Sequence, residues 1–92
     1  MKKLTLFYLE SCPYCINARK ALRELEEEKA EYAAAEIEWI EESRQPTLAE
    51  SYDYYYVPTV YLDGEKLYEA HPSESFEACK DELRRCLDKV LR

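Results

Sequence analysis

The 92-residue sequence contains one glycine, one histidine, and no repeat or glycine/serine-rich stretch. Without a linker or an internal repeat, the chain is predicted to form a single domain over residues 1–92. Its formal charge of −7 comes with no basic patch that could displace counterions from phosphates, so we expect no nucleic-acid partner. No apolar run approaches the ~20 residues of a membrane span, and we expect no membrane partner either.

The amino-terminal residues do not predict a secretion signal. The apolar run that follows Lys2 and Lys3 ends at Glu10, and it is too short and lacks the small-residue cleavage site that a signal peptide needs. We therefore expect the protein to be cytoplasmic, and we also expect it to be a monomer. Because the cytosol keeps thiols reduced, this location argues against two structural disulfides among the four cysteines.

Hydrophobic periodicity predicts the element order β-α-β-α-β-β-α. Strands are predicted at residues 4–9, 36–41, 57–62 and 66–70. The first helix is predicted at 14–29, and the second runs from Pro46 through Tyr52 or as far as Tyr55. The last helix follows Pro72, with Ser73 or Ser75 as its cap. Asp63-Gly64 predicts a hairpin turn. Two helical crossovers predict that the first three strands are parallel. The expected α/β fold is a four-stranded mixed sheet flanked by helices.

The sequence Cys12-Pro13-Tyr14-Cys15 stands between the first strand and the first helix. Unpaired N–H groups and the helix macrodipole favour negative charge at a helix start, so Cys12 is the candidate nucleophilic thiolate. Cys15, one turn later, could resolve a mixed disulfide. Pro13 restricts the backbone between the two cysteines, and Tyr14 offers an aromatic surface beside the reacting sulfur.

Two other uses of this cysteine pair are less consistent with the sequence. A zinc site would need a second pair of ligands, but Cys79 and Cys86 are seven residues apart and His71 is the single histidine; we expect no metal. A purely structural Cys12–Cys15 disulfide would close too small a loop to stabilise the fold much.

These motifs, together with Val57-Pro58-Thr59-Val60 before the Asp-Gly turn, make the chain resemble the thioredoxin fold, and its Cys-Pro-Tyr-Cys resembles the glutaredoxin active site. The resemblance implies a thiol–disulfide oxidoreductase that reduces protein or small-molecule disulfides through Cys12 and Cys15. It also implies that Pro58 is cis, and that the N–H and C=O of Val57 bind the substrate backbone in a short antiparallel contact.

The sequence departs from glutaredoxins where that family binds glutathione. Leu9, Tyr54 and Tyr56 replace polar or cationic residues, and residues 68–72 replace a Gly-Gly stretch. These departures predict weak glutathione binding, so the electron donor could be glutathione or a reductase of the thioredoxin type. The alternative function is a redox-responsive binding or sensor module with little turnover.

Several other side chains are predicted to have simpler structural roles. Tyr52 and Tyr55 are predicted to pack at the edge of the core, whereas Tyr54 or Tyr56 is predicted to be exposed near the site. Cys79 and Cys86 fall on one helical face about 10 Å apart, too far for a disulfide, and are predicted to be buried. His71 is predicted to lie in a loop.

Overall fold

The computed structural model describes residues 3–92, so Met1 and Lys2 of the predicted domain lie outside the described residues. Within that range the elements follow the predicted order, with one additional 3-10 helix. The strands are β1 (Lys3–Tyr8), β2 (Glu36–Glu41), β3 (Thr59–Leu62) and β4 (Glu65–Glu69); the helices are α1 (Pro13–Glu28), α2 (Pro46–Glu50) and α3 (Phe76–Val90), and the 3-10 helix is Ala30–Ala34. Together they form the predicted α/β fold, a four-stranded mixed sheet flanked by helices.

The strands are arranged in the order β2-β1-β3-β4, which makes β2 and β4 the outer strands. β1 pairs with β2 in parallel but with β3 antiparallel. The prediction that the first three strands are parallel is therefore wrong. The prediction treated α2 as a crossover helix, but its five residues cover only about 7.5 Å of a sheet about 20 Å long. The chain instead enters β3 at the end of the sheet where β2 finishes.

One face of the sheet carries the main core and is covered by α1 and α3. The buried positions of α1 are Cys15, Ala18, Ala21, Leu22 and Leu25. Ile16 is 56% exposed, because at about 100° per residue it points away from Leu25.

The opposite face carries a smaller, mostly aromatic cluster built on Phe7, Ile40 and Tyr61. Tyr52 covers it, with its ring centroid 4.7 Å from that of Phe7 and 4.8 Å from that of Tyr61. The predicted packing of Tyr52 at the core edge is therefore confirmed. Aromatic rings supply the cover on this face because α2 is too short to do so alone.

Element boundaries differ from the predictions where side chains compete with the backbone. α2 ends at Glu50 because the Ser51 hydroxyl donates to the Leu48 carbonyl at 2.6 Å, a local bond that competes with continuation of a helix. β3 begins at Thr59, two residues later than predicted. No pattern in the sequence indicated the 3-10 helix, which buries Tyr32 and lets its hydroxyl donate to Asp88 at 2.6 Å.

The predicted hairpin turn and the predicted serine cap of the last helix are both confirmed. Asp63 and Gly64 have φ angles of 51° and 83°, as a two-residue hairpin turn of type I′ requires. Of the two candidate caps for α3, Ser75 is the one used, and its hydroxyl accepts from the Ala78 N–H at 3.0 Å. Ser73 lies in the preceding loop, with φ 71°.

Candidate active site

Cys12 occupies the N-cap position of α1, and Pro13 begins the helix. The Cys12 carbonyl accepts from the N–H groups of Cys15 and Ile16, both at 3.0 Å. A proline suits the first helical position because its missing N–H would be unpaired there anyway. The Cys12 side chain is half-buried and Pro13 is exposed, so the first cysteine stands at the surface on the N-terminal end of the helix, as predicted.

Cys15 lies beneath Cys12 and is 3% exposed. Burial raises the pKa of the Cys15 thiol to about 12, the N–H of Leu9 opposes this effect, and the neighbouring Cys12 thiol adds to it. The Leu9 N–H donates to Cys15 Sγ at 3.4 Å. Cys15 therefore stays protonated near neutral pH, and the two cysteines differ sharply in their access to a substrate.

The segment before β3 brings a third component to the cysteines. The Val57–Pro58 peptide bond is cis, which confirms the conformation that the resemblance implied. The Cys12 thiol donates to the Val57 carbonyl at 3.8 Å. The pairing of Phe7 with Thr59 sets this distance, because it places the start of β3 beside the end of β1, from which the chain continues into the Cys12 loop.

The peptide around Pro58 is held from behind by backbone and side-chain bonds. Ala70 N–H donates to the Pro58 carbonyl at 3.0 Å, and the buried Thr59 hydroxyl donates to the Tyr56 carbonyl. Within residues 3–92 no hydrogen bond engages the Val57 N–H. Val57 therefore presents a free donor next to Cys12 on a rigid support.

Tyr14 is half-buried between the two cysteines. Its hydroxyl accepts from the Ser73 N–H at 2.7 Å, which fastens the start of α1 to the loop before α3. The residues are 59 positions apart, and no sequence signal indicated this contact. This bond fixes the orientation of the ring.

One of the tyrosines that precede Pro58 takes a different position from that predicted. Tyr55 is 87% exposed, so its predicted packing on the core edge is wrong; the packing position is taken by Tyr54, whose ring stacks on Phe7 at 5.1 Å. The Tyr54 hydroxyl donates to Glu42 at 2.7 Å, and burial together with this carboxylate raises its pKa. Tyr56 is 51% exposed, as predicted for one of the pair Tyr54 and Tyr56.

Glu69 lies within residues 68–72, whose departure from the glutaredoxin pattern predicts weak glutathione binding, but its hydrogen bonds were not predicted from the sequence. One of its carboxylate oxygens accepts from the N–H groups of Tyr55 at 2.6 Å and Tyr56 at 2.8 Å, and the other accepts from Lys66 at 2.8 Å. Burial acts to raise the pKa of Glu69, but these hydrogen bonds outweigh it and the pKa is lowered overall. The carboxylate is therefore ionised at neutral pH.

The second pair of cysteines lies away from this site, in the core between α3 and the sheet. Cys79 is 2% exposed and Cys86 is fully buried, which confirms their predicted burial. Burial raises the pKa of Cys86 to about 12 and also raises that of Cys79. His71 is exposed in the loop after β4, as predicted.

Two further observations apply to the part of the chain that the structure describes. Residues 3–92 contain no group of three or more His, Cys, Asp or Glu side chains placed to hold a metal ion. None of the helices among them is both long enough and apolar enough to cross a bilayer.

Comparison with solved structures identifies the fold. Along 99% of its length the chain is similar to a mutant thioredoxin from Halobacterium salinarum NRC-1, with 24% identity, 75% coverage of that protein and a TM-score of 0.61. It is also similar to thioredoxin 1 from Thermosipho africanus TCF52B, with 16% identity, 98% and 99% coverage of the two chains and a TM-score of 0.59. The chain is also similar to a structure described as a malarial protein, with 15% identity and a TM-score of 0.65. That match covers 100% of this chain and 99% of the malarial protein.

Sequence comparison adds the family. No curated protein matches the chain. The family model described as Glutaredoxin matches residues 4–67, a segment that contains both cysteines of the motif and the cis proline. Because this match covers more than half of the sequence, the chain belongs to the glutaredoxin family.

Proposed function

We propose that the protein is a dithiol oxidoreductase that reduces disulfides in proteins or small molecules. The observation that carries the proposal is the arrangement of three groups: a surface Cys12 at the start of α1, a buried and protonated Cys15 beneath it, and the Val57 carbonyl 3.8 Å from Cys12 Sγ. The family and the fold support a thiol–disulfide redox role in general.

Cys12 is the nucleophile in this proposal. Its thiolate attacks one sulfur of the substrate disulfide, forms a mixed disulfide and releases the other substrate sulfur as a thiolate, which takes up a proton. The unpaired N–H groups at the start of α1 stabilise the attacking thiolate. Cys12 is suited to this step because it is the accessible member of the pair.

Cys15 is the resolving residue. It loses its proton as it attacks Cys12 Sγ, which forms the Cys12–Cys15 disulfide and releases the second substrate sulfur. Two electrons pass from the cysteine pair to the substrate, which leaves as two thiols. A buried, neutral Cys15 does not compete with Cys12 for the first attack, since the thiolate is the reactive form. The burial that raises its pKa therefore supports this order of events.

Val57 and Pro58 orient the substrate. The free N–H and the carbonyl of Val57 can pair with an extended backbone, in the manner of a short added strand. We expect the rings of Tyr14 and Pro13, which follow Cys12 in the chain, to restrict how the substrate approaches. This geometry favours a disulfide within a polypeptide segment that can lie along the edge of the Val57 peptide.

The oxidised pair must be reduced by a second thiol compound, and we propose glutathione or a reductase of the thioredoxin type as the donor. We place the reaction in the cytoplasm, where thiols are kept reduced, and we expect the protein to act as a monomer without a metal or other bound cofactor.

The test is disulfide reduction by Cys12→Ser, with Cys79→Ser as the matched control. Cys12→Ser is expected to lose turnover of a small synthetic disulfide by at least about 1000-fold, because a serine hydroxyl is not ionised at neutral pH and is a far weaker nucleophile. Cys79→Ser makes the same chemical change outside the site and should retain turnover. Full activity in Cys12→Ser would exclude the mechanism.

The same experiment addresses the alternative of a redox-responsive binding module. If the wild-type protein forms a reversible Cys12–Cys15 disulfide but does not turn over any disulfide substrate at a measurable rate, the binding or sensor role is favoured.

A further inference from the structure

The Glu69 carboxylate occupies two backbone N–H groups in the loop before the cis peptide. Its carboxylate lies at the end of β4 and bridges two consecutive N–H groups, those of Tyr55 at 2.6 Å and Tyr56 at 2.8 Å. Only 17% of its side chain is exposed. These two N–H groups belong to the loop that leads directly into Val57 and the cis peptide.

The groups around the Glu69 carboxylate form a receptor for an anion. Adjacent backbone N–H groups that point to one spot form a concave anion-binding site. Lys66 adds a cation, with Nζ 2.8 Å from the carboxylate, and it also donates to the Asp53 carbonyl at 3.1 Å. Hydrogen bonds to an ionised carboxylate are among the stronger ones in proteins. In this chain the carboxylate that fills the receptor is supplied from within.

This receptor adjoins, along the chain, the peptide that contacts the reacting sulfur. Tyr56 immediately precedes Val57, whose carbonyl is the partner of the Cys12 thiol, and consecutive Cα atoms are only ~3.8 Å apart. The family match ends at Leu67, so Glu69 stands outside the segment that identifies the family. The rings of Tyr55 and Tyr56, 87% and 51% exposed, border the same loop.

We propose that Glu69 determines substrate specificity by occupying this carboxylate site itself. A thiol compound that carries carboxylates, such as glutathione, then finds its two N–H donors engaged and meets a fixed negative charge beside the site. A disulfide in an uncharged polypeptide segment needs only the Val57 backbone and gains contact with the exposed tyrosine rings. This inference rests on the proposed function, and it assigns that function to polypeptide disulfides.

The test measures binding without any redox step. The backbone amide resonances of Tyr55 and Tyr56 are followed by NMR while acetate, or S-methylglutathione with its thiol blocked, is added to Glu69→Ala. The matched control is Glu65→Ala, which removes the same charge from the same strand at a residue whose only ion-pair partner in residues 3–92 is Lys89.

In Glu69→Ala the vacated site should bind acetate and S-methylglutathione with dissociation constants at least about tenfold lower than in the wild type, since two N–H donors and Lys66 become available. Glu65→Ala should behave like the wild type. The proposal is wrong if the Tyr55 and Tyr56 amide resonances of Glu69→Ala do not shift with either compound, or if those of Glu65→Ala shift equally. Glu69 would then only stabilise the loop.

Glu69→Gln is the second variant, for the case in which Glu69→Ala does not fold. Its amide oxygen can still accept from the two N–H groups, but the negative charge is gone, so S-methylglutathione should bind about threefold more tightly than to the wild type. No tightening would overturn the proposal. Because neither compound reacts, these results do not depend on whether the protein reduces disulfides, and a failure of the proposed function would be seen separately in the turnover of Cys12→Ser.

Discussion

The protein contains two pairs of cysteines on two helices that pack against each other, and the pairs have opposite surroundings. Cys12 stands at the start of α1, where it is half-buried, with Cys15 one turn beneath it. Cys79 and Cys86 lie two turns apart on the inner side of α3, and each is at most 2% exposed.

The difference shows that position, not residue type, separates reactive from structural cysteines in this fold. The first pair combines an accessible thiol, unpaired helical N–H groups and a nearby carbonyl that can guide a substrate. The second pair has none of these and fills space as small apolar side chains do. Changes to single side chains in and around the two pairs test this contrast.

After the loss already expected for Cys12→Ser, the largest effect is expected from Cys15→Ser. Resolution by a second thiol in the same molecule is lost, so turnover of polypeptide disulfides should fall by about 100-fold or more, the advantage of an intramolecular reaction. A mixed disulfide between Cys12 and the substrate should accumulate and be visible by mass spectrometry. The double variant Cys79→Ala/Cys86→Ala should keep turnover within about twofold when measured under folded conditions. Equal losses in both proteins would remove the contrast.

The ranking should reverse when stability is measured. Cys86 is fully buried, so Cys86→Ala removes a sulfur atom from a packed core and should lower the free energy of unfolding by about 1–2 kcal/mol. Cys12→Ser, at the half-exposed helix start, should change it by about 0.5 kcal/mol or less. Urea denaturation followed by circular dichroism measures both values. A larger loss in Cys12→Ser would mean that the active pair also supports the fold.

Alkaline pH should weaken the wild type more steeply than Cys86→Ala. Burial raises the pKa of the Cys86 thiol from 9.0 to about 12, so between these values the folded protein retains a proton that the unfolded chain releases. Stability is therefore unaffected by this thiol below pH 9 and falls above it by about 1.4 kcal/mol per pH unit. In Cys86→Ala the free energy of unfolding should fall less steeply above pH 9, by the contribution of about one proton. Identical slopes in the two proteins would contradict a raised pKa for Cys86.

The smallest effect is expected from Tyr14→Phe, which loses only the acceptor for the Ser73 N–H. That N–H belongs to an exposed residue and can bond water instead, so the loss should be about 0.5 kcal/mol. Turnover should change by less than about threefold, since the aromatic ring is retained. Thermal unfolding and initial rates measure the two effects. A larger fall in rate would assign the hydroxyl a direct part in positioning the substrate.

The sequence predicted the features that depend on local pattern. The cysteine motif at a helix start, the Asp63-Gly64 turn, the burial of Cys79 and Cys86 and the general architecture follow from spacing and periodicity. The cis conformation of Pro58 came from the family resemblance and not from its neighbours in the chain.

The errors arose where distant parts of the chain decide the outcome. The direction of β3 depends on its long-range pairing with β1, and the exchange of roles between Tyr54 and Tyr55 depends on which ring reaches Phe7. The contacts of Glu69 with Tyr55 and Tyr56, and of Tyr14 with Ser73, join residues 13 to 59 positions apart. No local pattern encodes such pairs.

The outer strand β2 has a consequence for behaviour at high concentration. Its sequence is Glu-Ile-Glu-Trp-Ile-Glu, and its outer edge has no strand partner within residues 3–92. Such an edge is a template for pairing with another molecule, and charged side chains oppose that pairing. Two copies of β2 brought side by side would place carboxylates against carboxylates. Replacing Glu36 and Glu38 with glutamine therefore weakens the barrier to aggregation through this strand.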